Sequence, residues 1–237
     1  MKNLLILKFY LFITAFFLAV TCVQAQNTTI AKKESNIDLA LGMGENNSFS
    51  YALSWNTSYG VFSSNKFRLG YGVRFSGFTG SDLNYITAPA DLTGDDTTID
   101  TLLISSPHSI GLSALVNLQY QFSPKFKLGF NIDAVGVGFG STGNARFISS
   151  DNTGQYPEIV EASPSSFNLL LGGDNDLGQI KSEFYIAYAL SEKTWLRGGM
   201  DMTFSEYTSG RELANTNDRF RYKPVLVFLA ISYNPFN

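Results

Sequence analysis

The chain has 237 residues, with 17 lysines and arginines against 20 aspartates and glutamates, for a formal net charge of −3. This balance leaves no surplus of positive charge for a phosphate backbone and argues against a nucleic-acid partner. The single cysteine, Cys22, lies in a segment that we expect to be removed, so neither disulfides nor thiol chemistry should contribute to the mature protein.

The start of the chain has the pattern of an export signal. Two lysines flank the first apolar residues, the run FYLFITAFFLAV follows, and VQAQ supplies small or neutral residues for cleavage after Ala25. The apolar run, 9–20, is too short for a spanning helix, which needs about 20 residues. We therefore predict that 1–25 is a signal peptide and that 26–237 forms a single domain. A retained membrane anchor and a lipid attached at Cys22 are the alternatives.

After residue 26, apolar and polar residues alternate in segments separated by turn-forming residues. From Ile110 to Phe122, and again from Phe126 to Ile132, every second residue is apolar, which is the period of a β-strand with two different faces. The pattern recurs and predicts eight strands, near 36–44, 48–61, 66–79, 109–122, 126–139, 180–190, 194–205 and 219–233. The face of the last strand is ambiguous because VLVFLA is apolar throughout. The fold class is all-β and antiparallel.

The connections between these strands alternate in length. Three are tight turns, at 63–66, 123–125 and 191–193, and three are long and polar, at 80–108, 140–179 and 206–218. The link at 45–47 is short although it lies on the long-loop side. The three tight hairpins, FSSNKFRLGYG, FSPKFKLGFN and LSEKTWLRGGM, share a serine, a lysine and a following leucine, which indicates a repeated hairpin unit.

The apolar strand face carries the large side chains, and the polar face is small. Two aromatic belts lie on the apolar face, one near the tight turns (Tyr120, Phe122, Phe126, Trp195) and one near the long loops (Phe75, Phe78, Phe139, Phe204, Tyr207). Belts separated by about 9–11 residues match tilted strands crossing a bilayer, so the apolar face is predicted to meet lipid. An open sheet edge in lipid would leave backbone groups unpaired, so the strands should close into a transmembrane up-and-down β-barrel.

Two other architectures are compatible with this pattern. Residues 166–173 are too apolar for a plain loop; we expect a hairpin extension above the membrane there, but spanning strands would raise the count to ten. A soluble secreted β-sandwich would turn the apolar face inwards instead.

In these features the chain resembles the small outer-membrane β-barrels of Gram-negative bacteria, the group that includes the membrane domain of OmpA and the OmpX and OmpW types. The N-terminal signal, the alternation, the turn asymmetry and the final segment VLVFLAISYNPF carry the resemblance, which covers the whole mature chain. It implies contact with outer-membrane lipids and lipopolysaccharide, insertion by the barrel assembly machinery, and long extracellular loops. One departure is that Asn237 follows Phe236, because the class usually ends on an aromatic residue.

Eight charged residues fall on the inward face of the predicted strands: Asp38, Arg68, Arg74, Lys127, Asp133, Glu183, Arg197 and Asp201. Four are positive and four are negative. A charge in a low-dielectric interior is costly unless it is paired and hydrogen-bonded, so the match indicates a structural network that plugs the barrel. A translocation path would be expected to segregate the two signs of charge.

Three other features could carry chemistry, and each has a simpler interpretation. GFGSTG at 138–143 matches a nucleotide-binding glycine pattern, but no helix follows it, so its glycines should only end a strand. His108 and Ser109 are adjacent and should point to opposite faces, so they form no catalytic pair, although a serine from another strand could serve. The carboxylates of Asp91, Asp95 and Asp96 are weak candidates for a divalent cation, against a solvated acidic loop.

We therefore expect no catalytic residue, no cofactor and no dedicated metal site. The leading hypothesis is a monomeric, non-enzymatic outer-membrane barrel that acts in envelope integrity or in surface interaction through its loops. The surface ligand cannot be read from the sequence, because fold does not fix function. The alternatives are a transporter or narrow channel for small or apolar solutes, and a lipid A-modifying barrel enzyme.

Overall fold

The computed structural model describes residues 30–150 and 154–236, and the predicted signal peptide lies outside them. The described residues form 14 strands: β1 (Lys33–Met43), β2 (Phe49–Gly60), β3 (Phe67–Thr79), β4 (Leu83–Thr87), β5 (Thr101–Ile104), β6 (His108–Ser123), β7 (Phe126–Phe139), β8 (Gly143–Ile148), β9 (Ile159–Pro164), β10 (Phe167–Leu169), β11 (Ile180–Ala189), β12 (Thr194–Ser209), β13 (Arg219–Tyr222) and β14 (Val225–Tyr233). Short 3-10 turns occupy Asp96–Thr98, Gly173–Asn175 and Ala214–Thr216. Within the described ranges, no helix is long and apolar enough to cross a membrane.

Eight strands of the described chain close into a ring that we call the large barrel. Their order is β1-β2-β3-β6-β7-β11-β12-β14, with antiparallel neighbours throughout. The ring closes where β14 pairs with β1, from Ile37 opposite Tyr233 to Met43 opposite Val227. The predicted eight-stranded up-and-down barrel is confirmed, and the ten-strand alternative is wrong. The apolar segment 166–173 instead contains β10, which pairs with the end of β7.

The segments predicted to be long loops, 80–108 and 140–179, contain several strands instead. β4, β5, β8 and β9 join β13 and the far end of β12 in a second closed ring, the small barrel. β12 therefore belongs to both barrels. The loop prediction failed here because β4, β5, β8 and β9 have only four to six residues each, which is too few for an alternating pattern to stand out.

The predicted last strand, 219–233, is two strands broken before Pro224. Proline has no N–H to donate to a ladder, and the chain changes neighbours there. β14 lies between β1 and β12 in the large barrel, whereas β13 lies between β4 and β12 in the small barrel. β12 also runs to Ser209, so the start of the third predicted loop, 206–218, is strand.

The two barrels have opposite distributions of polar and apolar side chains. The outer face of the large barrel is apolar on every strand, and on the nine-residue β14 all the odd-numbered residues from Val225 to Tyr233 are exposed. A strand of about 9–11 residues crosses a bilayer when tilted. The small barrel buries apolar side chains from all six of its strands, including Tyr85, Leu102 and Phe220, as a water-soluble protein does. The large barrel is therefore built for lipid, and the small barrel for water.

The large barrel has a turn end and an extension end. The hairpin turns at 61–66, 124–125 and 190–193 share the turn end with both termini of the described chain. The small barrel stands at the extension end, together with the β1–β2 link. That link is tight because Asn46 and Asn47 both adopt positive φ, at 53° and 52°, as a type I′ turn requires.

Candidate functional site

The structure places the eight predicted inward charges inside the large barrel. Each is at most 4% exposed: Asp38, Arg68, Arg74, Lys127, Asp133, Glu183, Arg197 and Asp201. Glu34 and Lys181 join them, which gives five positive and five negative side chains. Glu34 was missed because β1 begins before the predicted start at residue 36. Lys181 could have been found, since it is two residues from Glu183 and so lies on the same strand face.

The centre of the interior holds a chain of ion pairs. Arg74 donates to Asp133 at 3.0 Å and to Glu183 at 3.1 Å. Arg197 donates to the same oxygen of Glu183 at 2.8 Å and to Asp38 at 2.5 Å. Two arginines and three carboxylates from five strands are thus connected, and each charge has a partner that offsets its desolvation.

Further ion pairs lie towards the two ends of the interior. Near the turn end, Lys127 contacts Glu34 at 2.5 Å and lies 3.9 Å from the centroid of the Trp195 ring, which adds a cation–π contact. Arg68 lies 3.9 Å from Glu34 and donates to the carbonyl of Ala31 at 2.6 Å. Near the extension end, Lys181 pairs with Asp201. Charges of both signs therefore run along the whole length of the barrel.

Glycines on the inner face make room for these large side chains. A Cβ atom at Gly129 would overlap the ring of Tyr185, which lies directly opposite on β11. The Tyr185 ring lies 3.9 Å from the Arg197 guanidinium, and its hydroxyl accepts hydrogen bonds from Asn117 and Gln119. The small residues seen on the polar face in the sequence thus leave room for the large side chains that fill the interior.

Little space remains between the interior side chains. One cavity of about 20 Å³ adjoins Asp38, Gln119 and Lys127, and another of about 20 Å³ adjoins Asp133 and Lys181. A cavity of this size has room for about one water molecule. Beside these charges, the described side chains leave space only for single water molecules in these two cavities.

The small barrel is closed by an apolar core. Leu83, Tyr85, Leu102 and Phe220 have no exposed surface, and the Tyr85 and Tyr207 rings meet edge to face with 5.0 Å between centroids. The Tyr85 hydroxyl shares a hydrogen bond with Ser205 at 2.9 Å. Burial raises the pKa of Tyr85 well above its ordinary value, because the phenolate would lose its hydration.

A short segment, 170–178, which we call the strap, lies against the outside of β12 and β13. The strap covers Glu206, which accepts hydrogen bonds from Arg221 at 2.7 Å and from Arg219 at 2.9 Å. Both arginines also donate to the carbonyl of Asp176 in the strap. The Lys223 ammonium hydrogen-bonds Asp174 and holds the pKa of that carboxyl below its usual value. The strap is thus fastened to the small barrel by charged groups.

The structure separates His108 from Ser109. His108 is exposed, whereas Ser109 points inwards and donates to Gln179 at 3.1 Å. The glycine pattern at 138–143 spans the end of β7 and the start of β8, so a strand follows it rather than a helix. Neither feature assembles a nucleophile with a base or a phosphate site.

Among the described residues, the loop carboxylates Asp91, Asp95 and Asp96 do not come together as a group of three. Asp95 caps a 3-10 turn by accepting from the Thr97 N–H at 2.9 Å, and this hydrogen bond lowers its pKa. Across residues 30–150 and 154–236, no group of three or more His, Cys, Asp or Glu side chains is placed to hold a metal ion.

Comparison with known proteins finds similarity in solved structures. No protein-family model and no curated protein sequence matches the chain. The chain is similar to a major outer membrane protein from Thermus thermophilus (11% identity, 86% of this chain and 100% of that one, TM-score 0.40). It is also similar to Yersinia pestis Ail (10% identity, 85% and 98%, TM-score 0.38) and to Neisserial surface protein A (11% identity, 85% and 94%, TM-score 0.31).

The architecture follows from the chain's own geometry. Eight antiparallel strands close on themselves, the outer face is apolar along the height of a bilayer, and the interior is polar and ion-paired. These are the features of a small outer-membrane β-barrel with transmembrane strands, as the resemblance in the sequence predicted.

Proposed function

We propose that the protein is a non-enzymatic outer-membrane protein in which the large barrel is an anchor and the small barrel is a surface-interaction module. The observation that carries this proposal is that both interiors are filled. The large barrel contains a ladder of ion pairs around Glu183, and the small barrel contains an apolar core around Tyr85. With both interiors occupied, the outer surface of the extension is the part available for recognition.

The outer wall of the small barrel supports an interaction role. Ile86, Ile148 and Ile159 are 42%, 45% and 56% exposed although the barrel stands outside the lipid-facing band. Thr101 lies between Ile86 and Ile148 in register, and Arg146 pairs with Ile159, so these side chains share one face of neighbouring strands. Exposed apolar side chains that cluster on a water-facing wall are typical of protein–protein contact sites.

Electrical recording tests the anchor role. Purified protein reconstituted in planar lipid bilayers should give no steady conductance, because an ion would have to displace paired, buried charges to pass. Stable openings of the unmodified protein would contradict the filled interior and favour a transporter for small or apolar solutes.

Capture of surface partners tests the interaction role. The full chain in lipid nanodiscs should retain partners from outer-surface extracts of the parent cells, and Ile148→Asp with Ile159→Asp should weaken that retention. Asp96→Asn, which changes an exposed residue away from this wall, is the matched control. Equal retention by all three proteins would contradict the assignment to this wall.

Mass analysis of lipid A tests the enzyme alternative. Lipid A from cells with and without the protein should have the same masses, whereas a change in mass would favour a lipid A-modifying enzyme.

A further inference from the structure

The exposed charges of this protein are distributed unevenly between the two ends. Five lysines lie at the turn end of the large barrel, and all are exposed: Lys32, Lys33, Lys66, Lys125 and Lys193. Glu192 is the exposed acidic residue among the described residues at that end. Acidic residues outnumber basic ones at the extension end. Among the described residues there, the exposed basic side chains are Arg146, Arg211 and Lys223, against nine exposed acidic ones: Glu45, Asp82, Asp91, Asp95, Asp96, Glu158, Glu161, Asp174 and Glu212. The turn end therefore carries a ring of positive charge that the acidic extension does not neutralise.

The three hairpin turns present their lysines in the same way. In each turn a serine hydroxyl accepts from the backbone N–H of the lysine two residues later: Ser64 from Lys66 at 3.5 Å, Ser123 from Lys125 at 3.3 Å, and Ser191 from Lys193 at 3.3 Å. This bond fixes the turn and leaves the lysine side chain outside it. The repeated hairpin unit seen in the sequence is thus a repeated way of exposing a lysine.

Three of these lysines are next to aromatic residues of the lipid-facing wall, Lys33 in space and Lys66 and Lys125 along the chain. Lys33 lies over the Tyr59 ring with its ammonium 5.9 Å from the centroid. Lys66 directly precedes Phe67, whose ring lies 6.0 Å from that of Phe62. Lys125 lies between Phe122 and Phe126, whose rings stack at 5.8 Å. Aromatic rings mark the level where a bilayer meets water, so these ammonium groups lie at the headgroup level.

The ammonium groups of this ring have no acidic partner in the described part of the protein. Among the described residues, every ion pair of a lysine involves Lys127, Lys181 or Lys223, and none involves the five lysines of the turn end. A lysine at the membrane surface lays its methylene stem along apolar groups and holds its charge in the headgroup layer. Anionic headgroups attract such lysines more strongly than zwitterionic ones do.

We propose that this lysine ring is a binding surface for anionic phospholipid headgroups in the leaflet at the turn end. The phosphate of a headgroup such as phosphatidylglycerol would accept hydrogen bonds from one or two ammonium groups, while the acyl chains lie against the aromatic rings above. The acidic extension offers no equivalent surface in the opposite leaflet. The barrel therefore selects its lipid neighbours on one side only.

The chain contains a natural reporter for this surface. Trp55 is 45% exposed on the lipid-facing side of β2, in the half of the strand nearer the turn end, whereas Trp195 points inwards and is 7% exposed. Lipids with brominated chains quench a tryptophan that they touch. Quenching of Trp55 therefore reports which lipid lies beside the lysine ring.

The experiment uses the full mature chain in vesicles that mix phosphatidylcholine with phosphatidylglycerol, with either lipid brominated in turn. Each lysine that faces a headgroup should favour phosphatidylglycerol by about five-fold. Changing the five lysines to Gln should bring the ratio of phosphatidylglycerol to phosphatidylcholine beside Trp55 close to that of the bulk vesicle, so that the preference disappears. The same positions changed to Arg, and the extension-end variant Arg146→Gln with Arg211→Gln and Lys223→Gln, should keep it.

Salt provides a test that needs no variant. Raising ionic strength to about 1 M, where the Debye length is about 3 Å, should remove the preference of the unmodified protein. Equal quenching by both lipids in the unmodified protein at low salt would overturn the proposal. So would a preference that survives in the Gln variant. Binding of soluble cell-wall fragments by the ring, without a lipid preference, would assign it to a carboxylate polymer instead and would equally overturn it.

Discussion

Arg197 on β12 donates from Nη1 to Asp38 on β1, across the interior of the large barrel, at 2.5 Å and over 159 residues of chain. Its other terminal nitrogen donates to Glu183 on β11 at 2.8 Å. Glu183 is also the partner of Arg74, so a single carboxylate serves two buried arginines. This sharing makes Glu183 the most sensitive position of the interior.

Glu183→Ala should lower the free energy of unfolding by about 3–5 kcal/mol, because two buried guanidinium groups lose a partner. Urea unfolding of the protein in lipid vesicles measures this. Glu158→Ala is the control: its ion pair with Arg146 at 2.9 Å has more than half of each side chain exposed, and it should cost at most about 1 kcal/mol. Similar losses in the two variants would contradict a dry interior.

Removing both members of an interior pair should be gentler than removing one. Lys181→Met alone leaves the carboxylate of Asp201 buried without the ammonium group that it pairs with. The double variant with Asp201→Asn removes this stranded charge as well, so its free energy of unfolding should exceed that of Lys181→Met. A double variant that loses the sum of the two single effects would argue against a structural network.

Phe130→Arg should cost about 2–4 kcal/mol, because the side chain meets lipid near mid-membrane. Phe130 lies opposite Leu118 on β6 and Phe184 on β11, which places it in the middle of the apolar wall. Phe130→Leu keeps the apolar surface and should be mild. The same vesicle unfolding experiment compares them. Equal losses would mean that this face does not meet lipid.

Orientation can be tested by labelling, because Cys22 is the single cysteine of the sequence and lies in the predicted signal. A membrane-impermeant maleimide should label Asp96→Cys on intact cells, since Asp96 is exposed on the extension. It should label Lys125→Cys at the turn end only after the outer membrane is opened. The unmodified chain gives the background. The reverse order of labelling would place the small barrel in the periplasm.

Phe220→Ala should open the small barrel and leave the large barrel folded. Phe220 has no exposed surface in the apolar core, and removing its ring should cost about 3–5 kcal/mol there. Limited proteolysis in nanodiscs should then cut within 83–104 or 143–164 while the membrane-embedded strands survive. Ile148→Ala, which changes a residue on the outer wall, should resist proteolysis as well as the unmodified protein does. Loss of both barrels together would show that they fold as one unit.

The small barrel should weaken at alkaline pH. Burial raises the pKa of Tyr85 above its ordinary value of 10.0, so the folded state holds this proton more tightly than the unfolded state. Its contribution to stability is therefore complete below about pH 10 and is lost as the pH rises further. Opening can be followed by the reactivity of Ala145→Cys, a buried core position. At equal pH, adding Tyr85→Phe should reduce the alkaline rise in reactivity, and an unchanged rise would contradict this assignment.

The large barrel could be predicted from sequence because lipid imposes a rule on each strand separately. Every second residue from Ile110 to Phe122 must be apolar whatever its neighbours are, so the period is visible in one segment. The inward charges could also be predicted, because every second residue of a strand lies on the same face. Their pairing could not, because partners such as Arg74 and Glu183 lie 109 residues apart and meet only through the closed ring.

The small barrel could not be predicted in the same way. Its short strands contribute at most two buried core residues each, such as Leu102 and Ile104 on β5, and two residues do not define a period. Its closure depends on pairings between distant strands, such as Phe220 opposite Thr87, and no local sequence pattern predicts such pairings. Glycine, aspartate and threonine in the same segments favoured a loop, because turns and short strands alternate there.

The continuity of β12 has a mechanical consequence. This strand runs unbroken from Thr194 to Ser209, through the wall of the large barrel and into the wall of the small one. A partner pulling outwards on the small barrel would load β12 along its axis, and the hydrogen bonds to both neighbours lie across that direction, so many would have to shear together. Tension on the extension is thus carried directly into the membrane-embedded wall, because the same strand belongs to both barrels.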